Sequence, residues 1–123
     1  MWGTEQEPLG KPMANIWHGR FPRENTKDDG YYYTAPVGRF PVNGYGIHDM
    51  AGNVWEWCSD WYDENYYSNS PVNNPQGPST GEQRVLRGGS GLFNSFTLRV
   101  AYRDVDLPSL TTGDCGFRCV SGF

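Results

Sequence analysis

Three cysteines, Cys58, Cys115 and Cys119, and two histidines, His18 and His48, are the thiol and imidazole groups available to this chain for chemistry. An odd number of thiols cannot all pair within one chain, so no disulfide framework is implied. Cys115 and Cys119, with three residues between them, could form a metal pair or could be ordinary thiols, Cys119 a buried one, and Cys58 follows Trp-Glu-Trp in strand-like sequence. His48, between Ile47 and Asp49, reads as a loop histidine making one hydrogen bond. No Gly-x-Ser-x-Gly elbow and no phosphate-binding glycine loop occurs. Oxygen donors are better placed. Calcium takes about six to eight oxygens from carboxylates, amide side chains and carbonyls. Asp49, Gly52, Val54 and Glu56 could offer two side-chain and two main-chain oxygens from a single turn entering a strand. The metal-free alternative has Asp49 and Asn15 capping turns and Glu56 in an ion pair.

Short extended elements must hold these residues. No long segment carries an apolar period near 3.6, and apolar runs end at Gly, Pro, Asn or Asp. The spacing predicts strands over Asn53–Trp61, Arg84–Gly88, Leu98–Arg103 and Gly116–Val120, with Trp55 and Trp57 on one face of the first. The polar stretch Glu64–Gln83 reads as a long surface loop. The 123 residues suit one domain, 1–123, with 16 Gly and 9 Pro giving it much irregular chain. Aromatic residues make up 15% of it, so large rings should do much of the burying in a lean core. A net charge of −4 with scattered Lys and Arg argues against nucleic acid as a partner. No apolar run approaches the ~20 residues that span a bilayer, and the first residues lack the pattern of a signal peptide, so the chain is expected to be soluble with no membrane partner, its compartment left open.

The run Asn43-Gly44-Tyr45-Gly46-Ile47-His48-Asp49-Met50-Ala51-Gly52-Asn53-Val54-Trp55-Glu56-Trp57 resembles the signature of the formylglycine-generating enzyme (sulfatase-modifying factor) family. Ala14-Asn15-Ile16-Trp17, Asp29-Gly30 and Thr34-Ala35-Pro36-Val37 before it, and Arg87-Gly88-Gly89-Ser90 and Gly116-Phe117-Arg118-Cys119-Val120 after it, agree in the family's order. The resemblance implies an α+β fold of the C-type-lectin-like kind with much irregular structure. It implies two calcium sites, one at Asp49, Gly52, Val54 and Glu56 and a second at Asn15, Ile16, Asp29 and Tyr31, where Ile16 and Tyr31 would contribute carbonyls. It also implies what is missing. The family's enzymes look like copper-dependent oxidases that hold Cu(I) on two cysteines just after Gly-Gly-Ser, and soft thiolates suit that ion. Here the stretch from Gly88 to Arg99 has no cysteine and is shorter, so copper is not expected. Cys119 matches a structural cysteine of the family. The related sulfoxide synthases need three histidines on iron, which His18 and His48 cannot supply.

Glu, Gln, Lys, Met and Trp account for 19 of residues 1–83 and for none of residues 84–123. At the earlier rate about nine would fall there. Adenine-directed mutagenesis of Asn codons cannot reach those five types, so the C-terminal segment resembles the variable region of proteins encoded by diversity-generating retroelements. A β-rich terminus that avoids helix formers is the other reading. On the first reading, residues 91–118 form a face for a protein or other macromolecular ligand. Its candidate residues are Leu92, Phe93, Asn94, Phe96, Thr97, Tyr102, Asp104, Val105, Asp106, Leu107, Leu110, Thr112, Asp114 and Cys115. These should be exposed and clustered, with Arg99, Ala101 and Phe117 buried beneath them as a frame.

Overall fold

The computed structural model describes residues 10–121. Its regular core is a small sheet of β1 (Trp55–Trp61), β2 (Arg84–Arg87), β3 (Asp104–Asp106) and β4 (Cys115–Gly116) in the order β3-β2-β1-β4. β1 and β2 are antiparallel, as are β2 and β3, whereas β4 runs parallel to β1 through Trp55 opposite Cys115 and Glu56 opposite Gly116. The aromatic and β-branched composition of β1 and β2 suits a pleated, half-buried surface, and Trp55, Val85 and Leu86 are its buried members. β3 is an edge strand, and its two aspartates flank Val105. Such charges blunt pairing with another chain.

The helical part of the expected α+β fold is very small. Among the described residues it amounts to one α-helical turn, α1 (Tyr66–Asn69), inside the long polar loop, and a 3-10 turn at Ser95–Leu98. That 3-10 turn also displaces the strand expected over Leu98–Arg103. Asn94 accepts from the Phe96 amide at 3.1 Å, and the Thr97 hydroxyl donates to the Asn94 carbonyl at 3.1 Å. These local side-chain bonds compete with extended structure, and the strand begins only at Asp104. Likewise the strand expected over Gly116–Val120 survives only as Cys115–Gly116. Pairing stops there, so Phe117 has no neighbouring strand to cover its ring and lies 76% exposed. Arg99 and Ala101 are also exposed, so the three residues expected to be a buried frame are on the surface.

One side chain, Asn53, joins several of the irregular segments. Asn53 accepts on its Oδ1 from the Ala35 amide (2.8 Å) and the Asn15 Nδ2 (3.2 Å), and its own Nδ2 donates to the Ala35 carbonyl (3.2 Å). Its backbone amide donates to the Asn15 carbonyl, and its carbonyl accepts from Gly91. Buried amides must be paired to be tolerated, and here that pairing binds four loops together. Close approach explains the glycine beside it. A Cβ on Gly52, at φ +75°, would stand 2.3 Å from the Asn15 carbonyl oxygen. The apolar cluster under this node is Ala14, Ile16, Ala51 and Leu98. No helix among the described residues is long and apolar enough to cross a membrane.

Candidate functional site

The loop holding Asn15 and Ile16 is closed by one carboxylate. Asp29 accepts from the Ile16 amide on Oδ2 and from the Tyr31 amide on Oδ1, both at 2.9 Å, and His18 Nε2 lies 3.5 Å from its Oδ2. Asn15 is 1% exposed, and its Nδ2 donates to the Tyr33 carbonyl at 2.6 Å. Its Oδ1 is buried with no hydrogen-bond partner among the described residues. An orphaned buried acceptor costs about 1–3 kcal/mol, and an amide oxygen is a donor that calcium uses. The residues of this cluster therefore fit a calcium ion.

The other oxygen cluster already holds a cation. Arg118 donates through Nε to Glu56 Oε2 at 2.6 Å, through Nη2 to Glu56 Oε1, and to the carbonyls of His48 and Asp49 at 2.9 Å each. The Glu56 carboxylate, through its hydrogen bonds, holds the Arg118 guanidinium above its usual range. Asp49, in the left-handed region at φ +55°, accepts from the Gly38 amide at 2.7 Å. The cluster lines an open groove of about 410 Å³ between Val37 and Phe117. A carboxylate has about four lone-pair sites, so Glu56 can serve a metal as well. It would do so beside a fixed positive charge. Among the described residues no three His, Cys, Asp or Glu side chains gather where they could hold a metal.

After Gly-Gly-Ser the chain folds tightly. Ser90 is 0% exposed, donates to Asp114 Oδ2 at 2.9 Å and accepts from the Leu92 amide. A Cβ on Gly91 would stand 2.6 Å from the Tyr33 carbonyl oxygen, so this turn lies directly on the Asn15 loop. Phe93 then stacks with Phe21 at 6.1 Å and meets Trp55 at 5.7 Å, while Tyr102 lies between Trp55 and Phe96 at 6.0 and 5.5 Å. Arg99 covers Phe96 at 3.8 Å. Sequence reasoning missed Phe21, Trp17, whose ring meets Phe21 edge-on at 5.5 Å, and Arg99 as members of this aromatic cluster, because nothing in their spacing announces it.

The structure divides the predicted face. Phe93, Phe96 and Tyr102 come together, with Leu92 and Asn94 in the turn between Ser90 and Ser95. Asp104, Val105 and Asp106 form the edge strand, Leu107 and Leu110 the turn after it, and Thr112 lies exposed on the way to β4. Three members are committed elsewhere. Thr97 is buried and bonded to Asn94, which corrects its expected exposure. Asp114 accepts from buried Ser90 and its carbonyl from the Trp55 amide, and Cys115 is a sheet residue.

None of the three cysteines is in a disulfide. Burial, with Asp60 adding to it, pushes the Cys58 thiol up, and burial does the same to Cys115 against a hydrogen bond from Thr112. Raised thiols are poor nucleophiles and poor ligands for soft metals at neutral pH.

Comparison with known proteins gives a family. Residues 1–122 match the model of the sulfatase-modifying factor enzyme 1-like domain. The chain is 50% identical to a formylglycine-generating enzyme of Streptomyces coelicolor over 98% of its own length and 39% of that protein's. It is 32% identical to an inactive Cα-formylglycine-generating enzyme 2 of Bos taurus, over 98% of the chain and 36% of the relative. Among solved structures, Treponema denticola variable protein 1 matches with a TM-score of 0.65 at 30% identity, over 85% of this chain and 34% of that one. The chain thus spans little more than a third of each of these proteins.

Proposed function

Since the chain belongs to the family of sulfatase-modifying factor enzyme 1-like domains, we propose that it is a member without copper oxidase chemistry, a calcium-stabilised domain with a binding or regulatory role. The observation that carries this reading is the segment from Ser90 to Leu98. It forms a turn and a 3-10 turn closed by Ser90, Asn94 and Thr97, and it contains no sulfur at all. Cys58 and Cys115 stand on β1 and β4 instead, with thiols held in the protonated form. Without a thiolate pair there is no soft donor set for Cu(I).

Calcium enters this reading as structure. Asn15 Oδ1, the Ile16 and Tyr31 carbonyls and Asp29 would hold the tighter ion. Asp49, Glu56 and the Gly52 and Val54 carbonyls would hold a weaker one beside Arg118. An ion that binds only the folded chain stabilises it by about 2.7 kcal/mol at a concentration 100 times its Kd. Melting the purified chain with calcium and with excess chelator tests this: a rise of several degrees with calcium is expected, and superimposed curves would overturn it. Incubation with copper, oxygen and a sulfatase-motif peptide should leave the peptide cysteine unchanged. Formylglycine in that peptide would refute the non-catalytic reading.

A second reading is favoured by the aromatic cluster and by the likeness to the Treponema variable protein. In it, Phe93, Phe96 and Tyr102 with Arg99 form the centre of a face for a macromolecular ligand, of the kind that a diversity-generating retroelement would vary. An adenine-rich second copy of the segment beside a reverse transcriptase gene would support it.

A further inference from the structure

Beyond Glu56 along β1, a cavity of about 250 Å³ opens between the sheet and the loop that follows it. A bulge shapes its floor. Trp57 pairs with Leu86 and Trp61 with Arg84, a step of four residues on β1 against two on β2, so β1 carries two extra residues between them. Bulges re-aim side chains, and this one holds Cys58 and Asp60, which both line the cavity. Trp61, Tyr66 and Tyr67 are its aromatic walls. Two of the walls are held in place: the Arg84 guanidinium lies 3.6 Å from the Trp61 ring, and the Tyr66 hydroxyl accepts from the Gly77 amide at 3.0 Å, which fastens the returning loop.

Two arginines complete the lining. Arg103 lies 4.4 Å from the Tyr67 ring and 5.4 Å from the Tyr62 ring, and among the described residues its guanidinium has neither a hydrogen-bond acceptor nor an ion-pair partner. Arg87 spends one donor on the Val100 carbonyl and makes no ion pair among the described residues. A guanidinium has five donors in a fork that matches a carboxylate. Here ring stacking orients the Arg103 fork, and nothing among the described residues fills it.

We propose that this cavity binds a free α-amino acid with an apolar side chain. Its carboxylate meets Arg103 and Arg87, its ammonium meets Asp60, and its side chain lies against Trp61, Tyr66 and Tyr67. A carboxylate and two guanidinium groups lining one small cavity are what a zwitterion needs. A phosphate dianion would face the Asp60 carboxylate with nothing to offer it, and a simple amine would face two guanidinium groups. The size agrees: at ~30 Å³ for each water in the liquid, the cavity holds about eight water-sized groups, close to the nine non-hydrogen atoms of leucine.

Calorimetric titration of the whole chain with L-leucine tests this, set beside 4-methylpentanoate, which lacks the ammonium, isopentylamine, which lacks the carboxylate, and inorganic phosphate. L-leucine should bind saturably and each of the others at least about tenfold more weakly. Arg103→Gln should weaken L-leucine by about tenfold or more. Asp60→Asn should weaken L-leucine without weakening 4-methylpentanoate, a selective effect that remains readable even where Arg103→Gln fails to fold. No heat with L-leucine, phosphate binding as tight as L-leucine, or full affinity in a folded Arg103→Gln variant would each overturn the proposal. None of these readings depends on calcium or on formylglycine formation, so the site stands or falls apart from the function proposed above.

Discussion

A thiol reacts as its thiolate, so burial that disfavours the charged form protects it. Cys119 is exposed, whereas Cys58 and Cys115 are half-buried with raised thiols. Alkylation followed by peptide mass spectrometry should therefore label Cys119 first at neutral pH, with Cys58 and Cys115 catching up only under alkaline conditions. The stability consequence has a definite sign. A folded-state value above the unfolded one contributes nothing adverse below the ordinary thiol range and costs stability as pH rises through it. Cys58→Ala should flatten the alkaline fall in Tm, and an unchanged alkaline limb would contradict the burial argument. The sequence offered three thiols without their surroundings. Burial is a property of the folded chain, and Cys58 owes its setting to a bulge that no local pattern announces.

Elements in this fold are held less by strand pairing than by side chains reaching between loops. Asn53 serves the segments around residues 15, 35 and 91 at once. Asn53→Ala would leave the buried Ala35 amide and carbonyl unpaired and would place alanine at φ +70°. The expected cost is about 3 kcal/mol or more, from two unsatisfied buried groups plus backbone strain. Chemical denaturation measures it, and a loss below ~1 kcal/mol would show the node to be dispensable. Arg118→Gln is expected to act more mildly, about 1–2 kcal/mol, because the ion pair with Glu56 is partly exposed. It should also tighten the second class of calcium sites by removing the competing charge, which calorimetry would read. The sequence revealed β1 and β2 because aromatic and β-branched residues stand in short runs there, the second closed by Gly88 and Gly89. It misplaced the strands at 98–103 and 116–120, since Asn94 and Thr97 favour a local turn and Arg118 is drawn to Glu56, a partner 62 residues away.

At the scale of the whole molecule, the motifs legible in the sequence lie on loops fastened to a four-stranded sheet, and few side chains among the described residues are fully buried. Among the described residues the buried apolar ones are Ala14, Ile16, Ala35, Phe40, Ala51, Trp55, Val85, Leu86 and Leu98, three of them alanines. A domain of this length has a stability of about 6–18 kcal/mol at the usual 0.05–0.15 kcal/mol per residue. With so few large groups inside, each one carries a large share. Leu98→Ala, in the central cluster, should cost about 2–5 kcal/mol, and Trp55→Ala about 3–5 kcal/mol. The predicted ligand face should behave differently, and not uniformly. Phe96 and Leu107 are more than half exposed, so replacing either with Ser should change stability by no more than about 0.5 kcal/mol. Phe93 and Tyr102 rest against Trp55 and should fall between the two groups. Phe117→Ala belongs with the inexpensive changes, since its ring lies in the open groove beside Arg118. Urea titration of these variants orders them directly. If Phe96→Ser or Phe117→Ala costs as much as Leu98→Ala, the C-terminal segment is core and cannot serve as a freely variable face. If they separate as expected, the chain can change its surface from Leu92 to Leu110 while Leu98 and Trp55 keep the fold.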